Sequence, residues 1–187
     1  MNNDKNISAN GINFIIQEEG LVLHIYPDQL SLPSIGVGHL ITSAEKQSGI
    51  FKNGITKDHA IELLKKDIVK AQNIIKSYIK VELNQNQFDA LSSLIFNCGG
   101  SPVITGTLGK VINAGNFADV PAQMEAWCHG NGKVLPVLQK RRKREIALFQ
   151  KPVDNIIPAN VVVPAVQEEI MGDIRPLGPL QGAHVLP

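Results

Sequence analysis

The sequence predicts a mainly helical α+β fold in two lobes, with one small antiparallel sheet near the N-terminus and a long helix between the lobes. Three observations predict it. Apolar residues recur at helical spacing through most of residues 1–150. Short apolar runs replace that period only between about residues 23 and 41, where Pro27, Asp28 and Pro33 interrupt them. The helical stretch 57–79 carries Ala60, Leu63, Leu64, Ile68, Ala71, Ile74, Ile75 and Tyr78 with lysines between them. At about 1.5 Å per residue it would exceed roughly 30 Å, enough to join two lobes.

The elements follow in chain order. Ser8 can cap a first helix whose stripe is Ile12, Ile15, Ile16 and Glu19, with Gly20 as its stop. A carboxylate in that last turn lies near the negative end of the helix dipole, which disfavours ionisation. His24–Tyr26, Ser34–Val37 and His39–Ile41 read as short strands, and residues 43–55, with Gly49 and Gly54, as a loop. Thr56 caps the long helix. Asn84 with Gln87 resembles a capping box and opens a helix with Phe88, Leu91, Leu94 and Ile95 as its core stripe. Shorter helices are expected at about 106–114, 118–128 and 137–150. Trp127 and Phe149 read as core.

Composition narrows the function classes. The 187 residues suit one main domain, and the apolar fraction of 43% can build a core. A net charge of +1 weighs against a nucleic-acid binder. Residues 1–150 hold 16 Lys/Arg against 13 Asp/Glu, and residues 151–187 hold 2 against 4. The polar start lacks the apolar run of a secretory signal, and no stretch reaches the length of a membrane span, so cytoplasmic synthesis is expected. Cys98 and Cys128 are too few for a disulfide framework. They read as reduced, partly buried thiols, with a bridge left open should the fold bring them together.

Residues 1–150 are read as the functional domain and 151–187 as an extension. The latter holds six of the eleven prolines and no aromatic residue, yet is too apolar for a simple linker. A short helix at 164–174, opened by Pro164, is expected there.

The chemistry concentrates in Glu19–His39. Two carboxylates, Glu19 at a helix end and Asp28 after a strand, sit in different surroundings, so one can stay protonated while the other stays ionised. Glycoside hydrolysis uses such a pair around the scissile bond. Ser34 adds a hydroxyl that both donates to and accepts from water. The order E-G, Y-x-D, I-G-x-G-H resembles the signature of phage-type lysozymes, glycoside hydrolase family 24. LNQNQFDALSSLIFNCG and WCHGNGKVLPVLQKRRKREIALF resemble two further segments of that family, so the likeness spans roughly residues 8–150.

That resemblance implies a lysozyme-like two-lobed fold and a muramidase, cleaving the β-1,4 bond between N-acetylmuramic acid and N-acetylglucosamine in peptidoglycan. It places the general acid on Glu19 and the second carboxylate on Asp28. The third member, usually Thr, falls on Ser34, which lacks the β-methyl that restricts χ1. Asp28 and Ser34 would direct water or stabilise charge. Some relatives perform transglycosylation, so the product stays open. A phage endolysin acting as a monomer is expected, accumulating in the host cytoplasm and reaching the wall through a holin-made lesion. A catalytically dead virion module is the alternative, against which the intact Glu19/Asp28 pair argues.

Other residues carry weaker signals. Asn97 would either face the cleft and bind sugar or cap its helix. Lys140–Arg144 would either steer the enzyme to acidic peptide stems or form a solvated face, with Arg141 or Arg142 paired to Glu145. Glu18, one step from Glu19, should meet solvent. His39 reads as structural, fixing the sheet against the long helix. His24, His59, His129 and His184 show no zinc-ligand spacing, so no metal or other cofactor is expected. Gly36-x-Gly38 lacks the rest of a nucleotide fingerprint. Gly106–Gly109 departs from the family's S-T-L-L segment.

Overall fold

A computed structural model of the chain describes residues 2–153 apart from Gln29 and Asn131. Residues 154–187, and with them the helix expected at 164–174, lie outside the described residues.

Helix α1 (Ala9–Glu19) starts at Ser8, whose hydroxyl accepts from the Gly11 amide, and ends at Gly20 with φ +80°. The chain turns there into the sheet: β1 (Val22–Pro27), β2 (Pro33–Gly36) and β3 (His39–Leu40), antiparallel in that order. Tyr26 pairs with Ser34, and Ser34 with Leu40, while an irregularity between Val22 and Tyr26 twists β1. The stretch expected as a loop contains α2 (Ser43–Ser48). Thr42 and Glu45 form a capping box at its start and Gly49, left-handed at φ +67°, closes it. Those signals are local and legible, but so short a helix carries no apolar stripe.

The single long helix expected over 57–79 is divided into α3 (Lys57–Asp67) and α4 (Val69–Tyr78) at Ile68. No glycine or proline marks the break. It falls on the β-branched pair Ile68–Val69, residues that are stiff at χ1 in a helix, and Ile68 is fully buried. The bridging part survives the break. Leu63 packs with Ile35, Ile41 and Phe51 in a small core under the sheet, while Leu64, Ile68, Ala71 and Ile75 belong to the large core.

The large lobe is built around α5 (Gln85–Cys98), opened by the Asn84–Gln87 capping box and closed by Gly99. Around it lie α6 (Pro102–Thr105), α7 (Thr107–Asn113), α8 (Val120–Glu125), a two-stranded ribbon of β4 (His129–Gly130) and β5 (Lys133–Val134), and α9 (Pro136–Gln150). Trp127 and Phe149 are core, as the sequence predicts. Cys98 and Cys128 are both buried free thiols. Among the described residues no helix is long and apolar enough to cross a membrane.

Candidate active site

Glu19 owes its position to the far end of its helix. Asp89 of α5 accepts from the Ser8 amide at 3.0 Å and also from the Ser8 hydroxyl, which pins the start of α1 to α5. A Cβ on Gly11 would lie 2.6 Å from the Asp89 carboxyl carbon, so only glycine permits this approach. Eleven residues on, α1 delivers Glu19 to the interior, 1% exposed.

There the Arg141 Nη1 group donates to Glu19 Oε1 at 2.7 Å. Oε2 is buried and has no hydrogen-bond partner among the described residues. Burial pushes the carboxyl above its ordinary pKa. Arg141 pulls it down, Glu145 and Glu18 push it up, and the balance stays upward. One oxygen is thus held by a cation and the other is left able to carry a proton.

Asp28 stands in a different setting, at the start of the loop from β1 to β2 and half-buried. Its Oδ1 accepts from the Leu30 and Leu32 amides, each at 2.8 Å, an Asx-type arrangement that fixes the side chain. Ser34 lies in the middle strand, 2% exposed, directly opposite Tyr26. Tyr26 feels both carboxylates: burial pushes its phenol up, the charges of Glu19 and Asp28 push the same way, and the Gly38 backbone opposes them without reversing the shift. Its hydroxyl is buried outside hydrogen-bond geometry with any described group. Tyr26 therefore lies within electrostatic reach of both Glu19 and Asp28, with Ser34 opposite it on the adjoining strand.

The basic run on α9 is neither a solvated face nor a steering patch at its centre. Arg141 is 2% exposed and Arg142 0%, both against a fully buried Glu145. Arg141 Nε donates to Glu145 Oε1 at 3.1 Å, and Arg142 Nε lies 3.0 Å from Oε2 as an ion pair. The expected pairing with Glu145 is present, but inside the lobe. Glu18 departs from expectation too. Its side chain is 5% exposed and accepts from Arg144 Nη2 at 2.7 Å, because that arginine reaches across from α9.

Asn97, expected at the cleft or at a helix cap, is turned inward. Its Oδ1 accepts from Arg142 Nη2 at 2.6 Å, it is 1% exposed, and Gly99 closes the helix. In this conformation it has no surface on which to meet a sugar. Arg142 also donates to Cys98 Sγ at 3.2 Å, and burial keeps that thiol protonated.

Arg141, Arg142 and Glu145 are the residues that sequence reasoning missed as parts of the site. A signal was available. Leu138, Arg141, Arg142, Glu145, Ile146 and Phe149 fall at i, i+3, i+4, i+7, i+8 and i+11, the spacing of one buried helical stripe. Gly106, Thr107 and Leu108 of the departing segment wall a hollow of about 280 Å³ shared with Pro102, Gln123 and Trp127.

His39 takes its structural part. Nδ1 lies 2.8 Å from Asp67 of α3 and Nε2 3.3 Å from Glu45 of α2, with Phe51 edge-on at 6.0 Å. The Asp67 hydrogen bond raises its pKa against the opposing effect of burial. Among the described residues no group of three or more His, Cys, Asp or Glu side chains could hold a metal ion.

The family model described as Phage lysozyme matches residues 16–145, which hold Glu19, Asp28, Ser34 and the α9 network. The chain belongs to the phage lysozyme family. It is therefore a glycoside hydrolase of the lysozyme type. The endolysin of Salmonella phage P22 is 40% identical over 145 residues, covering 76% of this chain and 97% of the relative. The crystal structure of a P22 lysozyme mutant superposes with a TM-score of 0.66 at 34% identity, over 79% of this chain and 99% of that one. The muramidase domain of SpmX from Asticaccaulis excentricus gives the same TM-score at 29% identity, over 79% of this chain and 99% of that one. Both neighbours share the mainly helical architecture with its small sheet.

Proposed function

We propose that this family member is a phage endolysin that hydrolyses the β-1,4 bond between N-acetylmuramic acid and N-acetylglucosamine in peptidoglycan. Glu19 is the general acid. The observation that carries this reading is its carboxyl: 1% exposed, raised in pKa by burial, and with one oxygen free of any donor among the described residues. Such a group is biased towards its protonated form, the form that can give a proton to a leaving glycosidic oxygen. Asp28, half-buried and clamped by two loop amides, stays the partner carboxylate that directs water or stabilises the oxocarbenium charge. The Ser34 hydroxyl assists in holding that water. The enzyme works as a monomer without a cofactor, collects in the host cytoplasm and reaches the wall through a holin-made lesion. Residues 1–150 form the catalytic domain, and 151–187 an appendage to it.

Incubating the chain and its Glu19→Gln variant with purified peptidoglycan tests the assignment. The expected result is muropeptides with reducing muramic acid ends from the wild type. The variant should be slower by about two to four orders of magnitude, the usual contribution of a general acid. Equal turbidity loss in both would remove Glu19 from that role, and 1,6-anhydro ends would mean transglycosylation.

A further inference from the structure

Inside the large lobe, Glu145 divides the guanidinium of Arg141. Glu145 Oε1 collects three donors: the Ser93 hydroxyl at 2.7 Å, Arg141 Nε at 3.1 Å and Arg142 Nη2 at 3.4 Å. The terminal nitrogens of Arg141 part company. Nη1 goes to Glu19 at 2.7 Å and Nη2 to the Ser93 hydroxyl at 3.4 Å. Left alone, a guanidinium and a carboxylate pair through two parallel N–H groups, filling both oxygens and favouring the anion. Here one N–H group reaches Glu19, and Oε2 keeps no partner among the described residues. A protonated carboxyl needs such an oxygen, since the hydrogen cannot share its place with an N–H donor.

We propose that Glu145, assisted by Ser93, is a positioning residue for the general acid: by holding one edge of Arg141 it limits that arginine to a single contact with Glu19. The inference rests on the reading of Glu19 as that acid. The charges around Glu19 set the sign of the effect. From α9 it faces Arg141, with Arg142 and Glu145 behind it. On its own helix stands Glu18, paired to Arg144, and from β1 comes the Tyr26 phenol. The neighbouring α5 side chains in the network, Ser93, Asn97 and Cys98, are neutral. Neutralising Glu145 removes a negative charge that acts on Glu19 and frees the second edge of Arg141. Glu19 then ionises more readily.

The test uses the full chain carrying ¹³C-carboxyl-labelled glutamate, with the Glu19 signal assigned by its loss in Glu19→Gln. In Glu145→Gln the Glu19 titration should fall by about one pH unit, the lower end of what a charged neighbour imposes. The alkaline limb of kcat should move with it, at a KM changed less than about twofold, since uniform binding is untouched. Ser93→Ala should shift both in the same direction by less. An unmoved Glu19 titration in folded Glu145→Gln overturns the proposal, and should that variant fail to fold, an unmoved titration in Ser93→Ala does so. A wild-type rate for Glu19→Gln would instead overturn the general-acid reading, while the titration still reports what Glu145 does to Glu19.

Discussion

Two Glu–Arg pairs join the same two helices, one residue apart on α1, and they do opposite things. Glu18 meets Arg144 on the outer edge, where the arginine side chain is 53% exposed. Glu19 meets Arg141 on the inner edge, where the side chains are 0% and 2% exposed. In the outer pair the arginine can trade its partner for water, although the Glu18 side chain is itself only 5% exposed. The inner pair cannot, so every donor on Arg141 must find an acceptor, and the division of those donors sets the state of Glu19. Burial of the arginine, not residue type, separates the two pairs.

The largest expected effect sharpens the inner side. Arg141→Met removes the cation that Glu19 shares with Glu145, leaving Glu145 to Arg142 and Ser93 but Glu19 without its donor. Breaking a buried pair in this way costs about 3–5 kcal/mol, read by urea unfolding at pH 7. A loss under roughly 1 kcal/mol would put the inner pair on the same footing as the outer one.

A smaller effect comes from the third ion cluster, His39 between Asp67 and Glu45, whose side chains are intermediate in exposure. The folded state raises the His39 pKa, so its stabilisation is complete below the ordinary value of about 6.5 and is lost as pH rises through the raised value. Allowing for the partly exposed partners, His39→Asn should cost about 1 kcal/mol more at pH 5.5 than at pH 9. A pH-independent cost would leave only packing against Phe51.

The smallest effect belongs to the outer pair. Arg144→Ala should lower stability by under about 1 kcal/mol, and by less in high salt. Activity at neutral pH should stay within about twofold. A large activity loss would mean that the outer pair also governs α1 and would erase the contrast.

Much of the frame was legible. The caps Ser8, Thr56 and Asn84 and the stops Gly20 and Gly99 are local interactions of a few neighbouring residues, and each stands where the sequence predicts it. The capping box at Thr42 was equally local, but was hidden by the absence of an apolar stripe on α2. The break at Ile68 was not legible, because no backbone-special residue marks it. Within the candidate site, Glu19 at its helix end, Asp28 after its strand and Ser34 on the next strand are where their spacing puts them. Asn97 and Glu18 are not, because their directions depend on what α9 lays against them.

By itself, then, the sequence determined the order and ends of most elements, the carboxylates available for chemistry and the motifs of the family. Those are properties of neighbours in the chain, and short-range hydrogen bonds enforce them. Only the tertiary structure decided which charges go inside. A run of Lys140–Arg144 has the composition of a solvated surface. Arg141 and Arg142 become buried because α5 and α1 offer Glu19, Asn97, Ser93 and the Cys98 sulfur as partners from 44 to 122 residues away. A charge enters a low-dielectric interior only when such partners are already assembled, and that assembly is a property of the packed lobe.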